Sequence, residues 1–388
     1  MDSIYLDHNA TTPVLPDVAA AMAECVAQGY ANPASAHRAG RRARQILEDA
    51  REGIGEMLGC RFVGERADRL IFTSGGTEAN NLAILGIAGG ESARGTVIIS
   101  AIEHPSITGP ATHLPRRGWG IGTLGVSRQG SVVADALSKL LREAATGRIP
   151  PVRLVSVMLG NNETGVVQPV AELAAISREA GVPMHTDAVQ AVGKQPVNFR
   201  QLDVSALSVA AHKFHGPRGI GALLLRHDAT LQPRLHGGFQ QGGLRPGTES
   251  VTLAVGMFAA LRSWHANQSE RIRHLQTLRD RFEHSLLAAR PTAVVNGADA
   301  ERLPQTSNVA FPGFDRQALF LALDMAGVAC STGSACASGS SDPSPTLIAM
   351  GCDDAIVRSA LRFSFGVENT LSEIDEAVKR IADVCGRF

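Results

Sequence analysis

Three features of the sequence predict an α/β fold built on a mostly parallel sheet flanked by helices. Short apolar strands alternate with polar loops and amphipathic helices over most of the chain. The polar motifs fall at the ends of those strands, where open α/β sheets bind ligands. The chain has 388 residues, more than one hydrophobic core usually holds. We therefore expect a large domain over 15–260 and a smaller α+β domain made from 1–14 and 261–388.

The elements follow in order. Tyr5-Leu6-Asp7 opens the chain and His8 to Pro13 turn it. A helix is predicted over 16–28, with Val18, Met22 and Val26 on one face. After a polar loop over 32–37, the Arg- and Glu-rich pattern over 38–58 predicts a long amphipathic helix. Leu70-Ile71-Phe72 is a strand that runs into Thr73-Ser74-Gly75-Gly76-Thr77 and a helix. Glycines and a hydroxyl at a helix start suit an anion, because unpaired N–H groups and the helix dipole face it. Strands are predicted over 97–100, 154–158 and 183–187, with a helix over 170–180. The stretch 208–225, SVAAHKFHGPRGIGALLL, reads as strand, turn and strand with Lys213 at the first strand's end. A glycine-dense loop over 236–248 follows, and 251–284 reads as largely helical. A strand over 307–311, a helix over 316–326, a helix restarting over 346–350, a strand over 360–366 and a final helix over 371–384 complete the chain.

Composition excludes several classes. Lys plus Arg and Asp plus Glu each number 37, so no bulk charge draws the chain to nucleic acid or an anionic membrane. No apolar run is long enough for a bilayer, and the first residues lack a secretory pattern. The six cysteines contain no C-x-x-C pair. That points to reduced thiols in a cytoplasmic protein, with no metal site.

A lysine between two apolar strands is costly unless it has a partner or a task. An aldehyde cofactor bound as a Schiff base would supply one. Pyridoxal 5'-phosphate needs an attachment lysine, an acid for its ring nitrogen, a stacking surface and an anion cradle. Lys213, Asp187, His104 and Gly75-Gly76-Thr77 could supply them. Taken singly, Lys213 could be a loop-end residue, Asp187 a turn acid, and the glycine turn an ordinary helix cap.

The stretches YLDHNATTPV, NPASAH, FTSGGTEANNLAI, IEHPS, NNETGVVQP, HTDAVQAVGK, AHKFHGPRGIGAL, HGGFQQGGLRPGT, STGSACASG and LRFSFG occur in this order. With them the chain resembles, over nearly its whole length, the cysteine desulfurases of the NifS and IscS type. These belong to the class V aminotransferases, among the fold-type I pyridoxal phosphate enzymes, whose large domain has a mostly parallel seven-stranded sheet. The resemblance implies that Lys213 attaches the cofactor, Asp187 pairs with its ring nitrogen, and His104 stacks on the ring and moves protons. It implies that Gln190 contacts the ring hydroxyl and that Asn162 lines the ring and substrate side. Gly76, Thr77 and His212 would hold the phosphate, and Thr248 would reach the phosphate of a neighbouring subunit in a homodimer. Arg362 and Asn32 would hold the substrate carboxylate. Cys336, in Gly333-Ser334-Ala335-Cys336, would take sulfur from L-cysteine as a persulfide and pass it to an acceptor protein, for iron–sulfur assembly or another thiolation.

Two departures stand out. Ala210 occupies a position where many members have Ser, and the last helix is followed by a short tail, which leaves the acceptor open. Two alternatives remain at this level. One is a C–S lyase or aminotransferase of the same family that does not need Cys336. The other is a non-catalytic assembly subunit.

Overall fold

The computed structural model describes residues 3–89, 94–333 and 343–387. Strand β1 (Ile4–Tyr5) is followed by helices α1 (Pro16–Ala27) and α2 (Arg38–Met57). Strands and helices then alternate as β2 (Arg69–Thr73), α3 (Gly76–Ile87), β3 (Thr96–Ser100), α4 (Pro105–His113), β4 (Gly120–Leu124) and α5 (Ala134–Ala145). Next come β5 (Val152–Ser156), α6 (Val170–Glu179), β6 (Met184–Asp187), α7 (Phe199–Leu202), β7 (Ala206–Ala210) and β8 (Gly221–Leu225). The remainder comprises α8 (Val251–Ala266), α9 (Gln268–Ala289), β9 (Val294–Val295), β10 (Thr306–Ala310), α10 (Arg316–Met325) and β11 (Val328–Ala329). Helices α11 (Pro345–Ala349) and α12 (Asp354–Val357), strand β12 (Ala360–Ser364) and helix α13 (Leu371–Cys385) end the chain.

The central sheet has seven strands in the order β2-β8-β7-β6-β5-β3-β4. The pairs from β7 through β4 are parallel, and β8 runs antiparallel to both its neighbours. Successive strand residues face opposite sides. Leu70 and Phe72 join one core with α1, α2, α5, α6 and α8, while Ile71 joins a second core with α3 and α4. Both faces are covered, which is why these strands read as continuous apolar runs rather than alternating ones. A third core gathers Ile4 and Leu6 with residues from Leu275 onward. It packs α9, α10 and α13 around the antiparallel sheet β12-β10-β9 and the parallel pair β1-β11.

Most predicted elements appear within a residue or two of their expected bounds. Two differ in substance. The stretch over 251–284 is two helices, broken at Asn267 between α8 and α9. Asn267 leaves helical geometry (φ −126°, ψ 19°), and its Nδ2 donates to the Ser263 carbonyl, a local bond that competes with the helix. In α1 the buried face is Val18 and Cys25, while Val26 is 65% exposed. At 100° per residue, position 26 lies about 80° from position 18 and position 25 only about 20°.

Candidate active site

The site opens where β5, β6 and β7 end and α3 begins. A cavity of about 240 Å³ is lined there by Gly76, Thr77, His104, Asn162, Asp187, Gln190, His212 and Lys213, among others. The sheet order explains the convergence. Each parallel strand delivers its last residue to the same edge, so residues more than a hundred positions apart meet.

Lys213 lies in a single helical turn after β7. Its Nζ donates to the carbonyl oxygens of Asn9 (2.5 Å) and Ala10 (2.9 Å). The strand pair behind it needs glycine at Gly221, where an added Cβ would stand 2.7 Å from the backbone carbon of Gly75. That close approach brings the start of α3 against the lysine turn.

Asp187 ends β6 and is 6% exposed. Its Oδ1 accepts from Val189 N (2.9 Å), and its Oδ2 accepts from Asn80 Nδ2 (2.6 Å). Asn80 sits in the second turn of α3 and also donates to Ser106 Oγ (2.8 Å). Ser106 Oγ in turn lies 2.7 Å from His104 Nδ1. A continuous polar chain thus joins Asp187, Asn80, Ser106 and His104. Asn80 and Ser106 are positioning residues whose roles sequence reasoning did not identify. Both lay inside quoted motifs, and the signal that could have found them is a polar residue on the inward face of an otherwise apolar helix.

His104 caps α4, and its Nδ1 accepts from the Ser106 backbone N–H (3.1 Å). An accepting Nδ1 puts the proton of the neutral ring on Nε2. Burial pushes the His104 pKa below its usual value, Asp187 opposes this, and Lys213 and Arg362 reinforce it. His212 places its Nδ1 3.2 Å from Thr11 Oγ1 and is pushed down to about 4 by burial, with Lys213 and Arg218 adding to the effect. It contacts the cavity as a neutral ring.

The anion end of the cavity is the N-terminus of α3. Thr77 and Glu78 lie in its first turn. A carboxylate there would oppose a phosphate, but Arg245 Nε and Nη2 hold Glu78 at 2.7 and 3.1 Å. A Cβ at Gly76 would come within 3.0 Å of Val189 Cγ2, so a side chain there would press on the cavity wall. Ala210 lines the same end.

Gln190 donates from Nε2 to the Asn9 carbonyl (3.1 Å). The Asn162 carbonyl accepts from Asn9 Nδ2 (3.3 Å) and from Arg362 Nη1 (3.0 Å). Arg362 is 1% exposed, and its Nη2 pairs with Asp7 Oδ1 at 2.6 Å. It stands behind Asn162, outside the lining of the cavity. Asn32 is exposed, with Oδ1 accepting from Ala34 N (2.9 Å), and Thr248 is exposed in the loop before α8. Neither lines the cavity within one chain. Cys336 lies outside the described residues. Cys330 is buried one residue beyond β11, and burial pushes its thiol pKa up, which makes it a poor nucleophile. Among the described residues no group of three or more His, Cys, Asp or Glu could hold a metal ion, and no helix is long and apolar enough to cross a membrane.

The residues present fit pyridoxal phosphate. A lysine amine, an anchored carboxylate, a neutral imidazole and a helix N-terminus with its own acid neutralised share one cavity. Among the described residues the buried Asn80 Oδ1 has no hydrogen-bond partner, which leaves an acceptor beside the carboxylate that Asn80 orients.

The chain matches the family described as aminotransferase class-V over residues 4–377. An IscS-like cysteine desulfurase of Mycobacterium tuberculosis is 41% identical over 389 aligned residues, covering 99% of this chain and 96% of that protein. A solved NifS-like protein superposes with a TM-score of 0.89 at 32% identity over the full length of both chains. A structure described as SspA in complex with cysteine superposes with a TM-score of 0.76 at 29% identity, covering 93% of this chain and 98% of that one.

Proposed function

This chain belongs to the class-V aminotransferase family, and from that premise we propose that it is a pyridoxal-phosphate-dependent cysteine desulfurase. It converts L-cysteine to L-alanine and leaves the sulfur as a persulfide on Cys336. The observation that carries the reading is the convergence of Lys213, Asp187 and His104 on one cavity. Relatives named cysteine desulfurase across nearly the whole length support it.

Bound in this cavity, the cofactor supplies an electron sink for the carbon skeleton of the substrate. Asp187, fixed by Asn80 and the Val189 N–H, would pair with the ring nitrogen of the bound cofactor. Lys213, whose amine lines the cavity, would hold the cofactor covalently and could serve as a base toward the substrate. His104, neutral with its proton on Nε2, exchanges a proton with the substrate. Gly76, Thr77 and His212 hold the phosphate at the α3 N-terminus. Thr248 completes that site from the neighbouring subunit of a homodimer, and Gln190 and Asn162 border the ring. Arg362 and Asn32 bind the substrate carboxylate; Arg362 Nη2 pairs with Asp7, and its buried Nε has no partner among the described residues.

The sulfur step balances in atoms and electrons. The Cys336 thiolate forms an S–S bond to the substrate sulfur, and the C–S bond of the substrate breaks. The electron pair left on carbon takes up a proton, and alanine leaves. The persulfide is consumed by an acceptor protein in the cytoplasm. The experiment is alanine release by the holoenzyme and by Cys336→Ala. Loss of turnover in the variant, with its cofactor absorbance unchanged, supports the reading. Full turnover without Cys336 supports a C–S lyase instead.

A further inference from the structure

Arg245 pairs with Glu78 beside the anion end of the cavity, and the scheme above gives neither a task. Glu78 is the third residue of α3, directly after Thr77. Its carboxylate folds back over the helix start, where Oε2 accepts from the Ser74 backbone N–H (2.6 Å). That bond occupies one N–H of the turn leading into the helix and keeps a full negative charge at the N-terminus. Burial alone would raise the Glu78 pKa, but hydrogen bonds from Arg245 and Ser74 outweigh it and hold the carboxyl below its usual range. A phosphate bound at the same helix start would meet this second anion.

Arg245 compensates the charge. Its Nε and Nη2 reach Oε1 and Oε2 of Glu78 in a two-pronged contact, and the two side chains are 22% and 21% exposed. A loosely held pair in water would contribute little, but this arginine sits on an anchored stretch. Strand β2 ends the strand order of the central sheet, and the Gln241 amide pairs with it as a neighbouring strand would. Gln241 Oε1 accepts from Phe72 N (2.7 Å), and Nε2 donates to Phe72 O (2.8 Å). Arg51 Nη1 donates to the same Oε1 (3.0 Å), and Arg51 Nη2 pairs with Glu249 Oε1 (2.6 Å). The backbone is therefore anchored on both sides of Arg245, at Gln241 and at Glu249.

We propose that Arg245 is a positioning residue for the cofactor phosphate: by holding and neutralising Glu78 it leaves the start of α3 able to take a second anion. Neither side chain lines the cavity, so the effect comes through charge and through the shape of the turn. The inference rests on the reading that the α3 N-terminus binds the phosphate of pyridoxal phosphate. It demands something that a purely structural ion pair does not: loss of Arg245 is felt by the phosphate and not by the ring.

The test uses the full chain stripped of cofactor and dialysed to equilibrium against pyridoxal phosphate. A parallel series uses pyridoxal, which has the same aldehyde and ring but no phosphate. Wild type, Arg245→Ala, Glu78→Gln and the double variant Glu78→Gln with Arg245→Ala are compared. Arg245→Ala should bind pyridoxal phosphate about tenfold or more weakly, because the Glu78 charge is left uncompensated. Its affinity for pyridoxal should change by less than about twofold, since that ligand brings no anion to the helix start. The double variant should return to within about threefold of wild type for pyridoxal phosphate, because the Gln amide still accepts from Ser74 N and carries no charge. Should Arg245→Ala not fold, Glu78→Gln alone carries the test, and it should bind pyridoxal phosphate at least as tightly as wild type. In Arg245→Ala, unchanged affinity or an equal loss for both ligands would overturn the inference alone. So would an absence of rescue in the double variant, or weaker binding of pyridoxal phosphate by Glu78→Gln. Equal affinity of wild type for the two ligands would overturn the reading beneath it.

Discussion

Asn80 carries more of the site than its place inside an apolar helix suggests. One amide group fixes Asp187 and, through Ser106, the ring of His104. Asn80→Ala should leave the fold intact and weaken cofactor retention by about tenfold, measured by equilibrium dialysis against free pyridoxal phosphate. A change below twofold would show that Asp187 needs no such support. His104 gives a pH prediction. Its pKa is lowered, so the neutral ring persists below the usual 6.5. The acid limb of kcat should therefore not contain a His104 ionisation at or above that value, and His104→Gln should not shift a limb found there. Lys213, Asp187 and His104 were legible because their stretches occur together and in order with the other motifs of the chain, although each taken singly has an ordinary structural reading. Asn80 and Ser106 were not, since their meaning comes from partners far along the chain.

Among the elements, the strand-end turns depend on close backbone approach. A Cβ at Gly366, two residues past β12, would lie 2.0 Å from His8 Cε1. His8 is 2% exposed and cannot move into solvent easily. Gly366→Ala should cost about 1–3 kcal/mol by denaturant titration, and no loss would show that the His8 ring has room to shift. Helix α13 begins with a reciprocal cap, Thr370 to Glu373 N (3.2 Å) and Glu373 to Thr370 N (2.7 Å). Thr370→Ala should remove about 1 kcal/mol. The long period of α2 was readable because Ala43, Leu47, Ala50 and Ile54 keep one face buried. The break at Asn267 was not, because neither glycine nor proline marks it. Strand β4 and helix α5 escaped notice, since Gly120-Ile121-Gly122-Thr123-Leu124 has a weak strand composition and gains its place from parallel pairing with β3.

At the scale of the molecule, residues 4–12 join the third core to the candidate site. Strand β1 pairs with β11, while the Asn9 and Ala10 carbonyls hold Lys213. Asn9 also donates to Thr306 Oγ1 (2.8 Å) and receives Gln305 Nε2 (3.2 Å). This arrangement was not readable from YLDHNATTPV, which looks like an ordinary turn until its partners far along the chain are in place. The central sheet also sets a pH response. His185 in β6 is buried between Ser156 Oγ and Ser208 Oγ, each at 2.9 Å, and burial pushes it down to about 3 from 6.5. Above pH 6.5 the ring is neutral folded and unfolded, so it contributes no slope. Below 6.5 only the unfolded chain takes the proton, and stability falls as acid is added, down to about pH 3. The slope from this ring approaches about 1.4 kcal/mol per pH unit. Denaturant titrations across that window should show a shallower acid slope for His185→Gln, and an unchanged slope would contradict a neutral buried ring.

On the proposed function, the amine, carboxylate and imidazole of this cavity strip sulfur from cysteine and load it on Cys336. The most direct measurement is mass spectrometry of the Cys336 peptide after the holoenzyme meets L-cysteine briefly, with free alanine quantified in the same sample. The account predicts one added sulfur atom on Cys336 and an equal amount of alanine in the first turnover. Alanine or free sulfide formed while Cys336 stays unmodified would contradict it.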